Sequence, residues 1–144
     1  MKTISTTSGT KTQDFAKELA STFKGGEVVA LSGDLGAGKT TFTQGFAEYF
    51  NITDHVSSPT FSIINEYSLR QDQGSVKKLV HIDCYRLDTP EELIEIGIQD
   101  YFDRDDVVVL IEWAEKVKEI LPPKTQWIEF EHSGKENERK IHIH

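Results

Sequence analysis

Residues Gly33–Thr40 read GDLGAGKT, a match to the pattern G-x-x-x-x-G-K-[ST]. Each position in that pattern has a physical task. Glycines let the backbone curl until successive N–H groups face one anion. A helix opening at Lys39 would add the positive end of its dipole. Lys39 would then reach the β- and γ-phosphates of a nucleotide, and the Thr40 hydroxyl would be placed to ligate Mg²⁺. A chance Gly-rich turn lacks the flanking elements that this reading needs. Here an apolar run, Glu27–Ser32, precedes the loop as a strand, and Lys39–Phe50 follows as a helix with Phe42, Phe46 and Tyr49/Phe50 turned inward. Strand, glycine loop and helix predict a P-loop α/β fold that binds a nucleoside triphosphate with Mg²⁺.

The remaining elements follow from period and punctuation. Ile4 begins a short β-like segment, and Thr12 is placed to cap a helix that runs to about Phe23, with Phe15, Leu19 and Phe23 on one stripe. Gly25-Gly26 would end that helix. Phe61–Leu69 and Lys78–Asp83 read as strands, with a turn at Asp72–Ser75 between them. Thr89-Pro90-Glu91-Glu92 opens a helix, with proline at its first position and acids in its first turn. Val107–Ile111 is apolar throughout, which predicts a central parallel strand buried on both faces. Ala114–Leu121 is a short helix stopped by Pro122-Pro123. Trp127–Glu131 and Lys140–His144 alternate apolar with polar residues, predicting an antiparallel pair with a turn near Ser133-Gly134. The expected fold is one P-loop domain over residues 1–144. Its central sheet is mixed and largely parallel, flanked by helices, with a C-terminal antiparallel strand pair.

Composition narrows the function. The chain has 144 residues, 37% hydrophobic and 28% charged, and a formal net charge of −8. Proteins that grip nucleic acid directly cluster Lys and Arg to displace counterions. Here no basic run exceeds two residues, as at Lys77-Lys78, so a direct grip on nucleic acid is disfavoured. The sequence offers no membrane-spanning run and no apolar signal core. Its one cysteine, Cys84, suits a reducing compartment, and together these point to the cytoplasm.

Several acids are placed to work beside the loop. Glu112 ends the strand Val107–Ile111, where it could hold Mg²⁺ directly or through water, or position an attacking water. Asp83 ends the strand KLVHID. Spacing leaves it open between a Mg²⁺ partner and a structural hydrogen bond, and Arg86 open between a phosphate-facing cation and a pair with nearby acids. His81, Asp83 and Cys84 lack a further ligand at metal spacing, so a transition-metal site is rejected. The loop Ser57–Phe61 lies where switch loops sit, yet Thr60 within it also fits a plain Ser/Pro turn. Trp113 reads as core or as lining for the nucleotide pocket. His142 and His144 share a strand face without a third ligand, so that face is read as solvated. No Asn-Lys-x-Asp guanine element is present, and ATP is favoured over GTP.

The ordered strings GDLGAGKTTF, SPTF, HIDCYRL, EELIEIGIQDYF and IEWAE, spanning about residues 27–115, resemble the TsaE (YjeE) family of bacterial P-loop ATPases. Members of that family are needed for threonylcarbamoyladenosine at position 37 of tRNAs reading ANN codons. The resemblance implies an ATPase whose Lys39, Glu112, Asp83 and Thr60 are catalytic. It implies that Thr40, Glu112 and Asp83 surround Mg²⁺. The implied nucleotide-binding run is Gly33, Asp34, Leu35, Gly36, Ala37, Gly38, Lys39, Thr40 and Thr41, with Trp113 close by. Ser8, Gly9 and Thr10, together with Gly134 and Lys135 near the last turn, are weaker implied contacts. Ala114 departs from the EWPE string common in the family. The implied partner is the TsaB–TsaD heterodimer, which meets the tRNA and stimulates a slow intrinsic ATPase. The rival readings are a small-molecule kinase and a nucleotide-dependent regulatory module without productive hydrolysis.

Overall fold

The apolar run Val107–Ile111 sits at the middle of the molecule as expected. In the computed structural model, which describes residues 1–34, 36–52, 63–69 and 74–144, it forms the strand Val107–Glu112 (β5), with all six residues buried. The strands before it are Lys2–Thr6 (β1), Val28–Gly33 (β2), Ile64–Ser68 (β3) and Lys78–Asp83 (β4); Gln126–His132 (β6) and Arg139–Ile143 (β7) follow. One seven-stranded sheet has the order β1-β7-β6-β2-β5-β4-β3. The four central strands β6-β2-β5-β4 pair in parallel, and both edges are antiparallel. The C-terminal antiparallel pair is present, but β1 joins it as a third strand and β6 also pairs with β2.

Helices cover both faces because alternate residues of the central strands point opposite ways. Val29, Leu31, Val108 and Leu110 meet the helices Gly9–Ala20 (α1) and Lys39–Tyr49 (α2). Val28, Ala30, Val109 and Ile111 meet the short helices Glu91–Glu95 (α3) and Ile98–Phe102 (α4), and the 3-10 segment Ala114–Ile120. Phe42 is the hub on the first side, with ring centroids 5.9 Å from Phe15, 6.0 Å from Phe46 and 5.5 Å from Phe130. Fully burying each such ring is worth about 1.5–3 kcal/mol.

Local details depart from the sequence expectations. Ser8, not Thr12, caps α1, its hydroxyl accepting from the Lys11 N–H at 3.2 Å. Thr12 lies inside the helix, buried, with its hydroxyl 2.7 Å from that of Thr6. The helix closes at Ala20, so Phe23 packs from the following turn and Gly25-Gly26 lies beyond the helix end. Tyr49 is 39% exposed; Phe50 alone takes the inward place. The Glu91–Phe102 stretch breaks at Gly97 into two single-turn helices. Ala114–Ile120 is 3-10 rather than α, with a non-helical Val117 inside it. Leu35, the loop Ser57–Phe61 with Thr60, and Asp72 and Gln73 of the expected turn lie outside the described residues.

Candidate active site

The loop after β2 begins where two backbones nearly touch. Gly33 has φ 129°, and a Cβ there would sit 2.3 Å from the Phe130 carbonyl oxygen of β6. Only glycine fits both the conformation and the space. Gly38, at φ 111°, is the N-cap of α2 and carries no side chain to cap the first turn. The first-turn N–H groups are thereby left to an anion rather than to a side chain. Arg139 of β7 leans over the loop, donating from Nη2 to the Gly36 carbonyl at 3.1 Å. Nothing in the flanks of Arg139 signals a partner 103 residues away, so sequence does not disclose it.

Lys39 starts α2 and is buried. Its ammonium folds back on the loop, donating to the carbonyls of Gly33 and, at 3.1 Å, Asp34. It also lies 3.7 Å from the centroid of the Trp113 ring, a cation–π contact. Burial lowers the amine below the usual lysine value, and Glu115, Glu112, Asp34 and Asp83 pull the other way. Trp113 holds φ 57°, a left-handed conformation uncommon for a bulky residue, and its ring meets that of Tyr85 at 5.1 Å. Burial raises the Glu115 carboxyl above its ordinary value. A cleft of about 420 Å³ beside the loop is lined by Ser32, Asp34, Trp113, Glu115 and Glu129, among others. Its acidic wall suits a neutral or cationic group better than a phosphate.

The acids stand at the carboxyl ends of adjacent parallel strands. Asp83 of β4 pairs in register with Glu112 of β5. Glu112 is 2% exposed, and its Oε1 accepts from the Thr40 hydroxyl at 3.3 Å. Its Oε2 is 2.6 Å from Nε2 of His81, which is wholly buried. Asp83 is partly exposed and accepts from the Tyr85 N–H at 2.9 Å. The structural alternative for Asp83 is therefore present, at the mouth of the same site. Arg86 is exposed in the loop that follows β4. His81 was weighed from sequence only as a metal ligand, although its two-residue spacing from Asp83 already placed it on the face of the acids.

The weaker candidates divide. Gly9 adjoins Thr41, where a Cβ would lie 3.6 Å from the threonine methyl, so Ser8–Thr10 borders the loop helix. Gly134 and Lys135 are exposed in the turn between β6 and β7. His142 is not simply solvated. Its Nδ1 is 3.0 Å from the Thr3 hydroxyl, and its Nε2 is 2.8 Å from Glu131, whose carboxyl this bond holds below the usual range.

Among known proteins, the family model described as threonylcarbamoyl adenosine biosynthesis protein TsaE matches residues 6–141. A Bacillus subtilis protein named tRNA threonylcarbamoyladenosine biosynthesis protein TsaE is 44% identical over 131 residues, covering 91% of this chain and 77% of its own length. A Haemophilus influenzae protein of the same name is 46% identical over 95 residues, covering 66% and 56%. A Nostoc protein of that name is 40% identical over 102 residues, covering 69% and 59%. The chain thus aligns with little more than half the length of the latter two. The crystal structure of Bacillus subtilis YdiB superposes with a TM-score of 0.78 at 38% identity, over 99% of this chain and 83% of that one. By a match that runs nearly end to end and by these identities, the chain belongs to the TsaE family.

Proposed function

We propose that this chain is a Mg²⁺-dependent ATPase that serves tRNA threonylcarbamoyladenosine biosynthesis together with a TsaB–TsaD complex. The relatives' names supply the pathway. The observation that carries the chemistry is the Thr40 hydroxyl on the Glu112 carboxylate, beside Lys39 at the end of the parallel strands. A hydroxyl and a carboxylate brought together are hard oxygen donors, the set that Mg²⁺ prefers. Thr40 and Glu112 would hold the ion, with Asp83 alongside, and the ion would draw off charge developing on the phosphates.

The rest falls to the chain itself. Backbone N–H groups of the loop and of the first turn of α2 bind the phosphate oxygens. Lys39 exchanges the carbonyls of Gly33 and Asp34 for the β- and γ-phosphates. Glu112 orients the attacking water, Thr60 is a further catalytic residue, and Trp113 borders the nucleotide. ATP is the substrate because the chain lacks a guanine-reading element. A net charge of −8 fits a protein that leaves tRNA to its partner, acts in the cytoplasm, and uses hydrolysis to reset the complex between turnovers.

The test is phosphate release from ATP by the pure chain, with and without TsaB–TsaD, beside Lys39→Ala. Stimulation that vanishes in the variant supports the proposal. Transfer of phosphate to a small acceptor would make it a kinase. Tight nucleotide binding with no release under either condition would make it a regulatory module.

A further inference from the structure

Glu112 is a flexible side chain asked to present one oxygen to Thr40 in a site almost closed to water. Three rotatable bonds give a glutamate many ways to point, and a group that orients chemistry has to be held in one of them. The hold comes from the neighbouring strand. His81 pairs in register with Leu110, two residues before Glu112, so its ring and the carboxylate rise from the same face of the sheet. The imidazole is wholly buried, and its Nε2 lies 2.6 Å from Oε2. A carboxylate only accepts hydrogen bonds, so this nitrogen carries the proton. With Oε2 tied to the ring, Oε1 is the oxygen turned to the Thr40 hydroxyl.

The other ring nitrogen carries the inference further. Nδ1 of His81 is buried and has no hydrogen-bond partner among the described residues. Buried polar atoms in folded proteins are satisfied with few exceptions, and an exception is a cost to stability. A leucine would remove that orphan nitrogen, but it would leave the buried Glu112 carboxylate without its donor on Oε2. An imidazole whose polar contact is to Glu112 marks that contact as the reason a histidine stands here.

We propose that His81 is a positioning residue for Glu112. It donates from Nε2 to Oε2, locks the carboxylate in one rotamer, and fixes Oε1 toward Thr40. It touches neither nucleotide nor metal. This extends the ATPase reading above and rests on it for the kinetic consequence, but the contact itself is testable without turnover.

Two measurements decide it. In the first, two-bond ¹H–¹⁵N correlation spectra of the imidazoles are recorded on the wild-type chain alone and on Glu112→Gln. A proton fixed on Nε2 of His81, with a resonance displaced in Glu112→Gln, is expected. A bare Nε2, or a spectrum indifferent to Glu112→Gln, overturns the proposal. In the second, His81→Leu and His81→Gln are compared in ATP hydrolysis with TsaB–TsaD, in nucleotide affinity and in thermal midpoint. The glutamine amide can supply a donor near the position of Nε2.

Loss of a residue that orients a catalytic carboxylate typically costs about 10–100-fold. His81→Leu should lose kcat on that scale with nucleotide affinity within about threefold, and its thermal midpoint should fall because the buried Glu112 carboxylate loses its donor. His81→Gln should recover most of the loss. A His81→Leu chain with kcat near wild type refutes the proposal. So does a joint fall of affinity, midpoint and kcat that glutamine does not repair, since that marks a packing role. If the wild-type chain with its partners hydrolyses nothing, the ATPase reading fails, and the spectra alone decide the contact.

Discussion

Gly45 offers a substitution whose usual sign the structure reverses. In an exposed helix interior, Gly→Ala gains about 1 kcal/mol from helix propensity alone. Gly45 sits within α2 at the point where α1 crosses it, and a Cβ there would lie 2.6 Å from both Cα and the carbonyl oxygen of Gln13. Both obstacles are backbone, so no side chain can swing aside. Reaching ordinary carbon contact of about 3.5–4 Å requires α1 to retreat by roughly 1 Å, and a gap of that size forfeits a quarter to a half of the dispersion energy of each facing contact. The pairs at risk include Phe15–Phe42 at 5.9 Å and Phe23–Phe46 at 5.5 Å. Each is worth about 0.5–1.5 kcal/mol beyond its buried area. With typical overpacking costs of about 1–3 kcal/mol, the expected net loss for Gly45→Ala is about 2 kcal/mol. For a chain of this size that lowers the thermal midpoint by roughly 8 °C.

Urea unfolding followed by far-UV circular dichroism measures the effect, with an unchanged slope confirming that the denatured state is the same. Gly9→Ala is the internal control. Its Cβ meets only the Thr41 methyl at 3.6 Å, and its backbone is not left-handed. That variant should stay within about 0.5 kcal/mol of wild type. A Gly45→Ala chain as stable as wild type, or more so, would mean that the helices do not approach as described.

Two further expectations rest on single contacts. Ser8→Ala removes the acceptor for the Lys11 N–H and should cost about 1 kcal/mol, read as a lower urea midpoint; an unchanged midpoint would place the helix start elsewhere. Burial, aided by the neighbouring Asp83 charge, pushes the Cys84 thiol up from 9.0 to about 12. The folded chain therefore keeps that proton after the unfolded chain has lost it, and stability contributed by the neutral thiol falls as pH rises from about 9 toward 12. Cys84→Ala should flatten the alkaline limb of the stability profile. Native protein at pH 8 should resist thiol reagents until urea unfolds it, and rapid labelling without urea would contradict the burial.

What the sequence could disclose tracks how local each determinant is. The phosphate loop was legible because glycines, lysine and threonine act within eight residues, and β5 because five consecutive apolar residues permit little else. Helix α1 was misjudged at its start because Ser8 and Thr12 are both capping residue types, and Gly9 and Thr10 between them are poor helix formers. Tyr49 and Phe50 competed for one inward position, which neighbouring side chains decide. The His81–Glu112 contact depends on the parallel register of β4 with β5, and the reach of Arg139 to Gly36 on the placement of β7. Pairings of that kind belong to the assembled sheet and leave no trace in either flank.

The pairing of β1 bears on how the molecule is made. Among the described strands its one neighbour is β7, and the Thr3–His142 contact joins positions 139 apart. A ribosome delivers β1 before the α/β centre and β7 after it. Until then β1 has no edge to lie against, and its loop-closure cost is among the largest the chain faces. Its composition suits that wait: KTIST carries one large apolar residue among polar ones, a poor template for pairing with the wrong chain. Docking of β1 would therefore be the last step in closing the sheet. A nascent chain lacking β7 should carry a formed centre, α1 included, with β1 undocked.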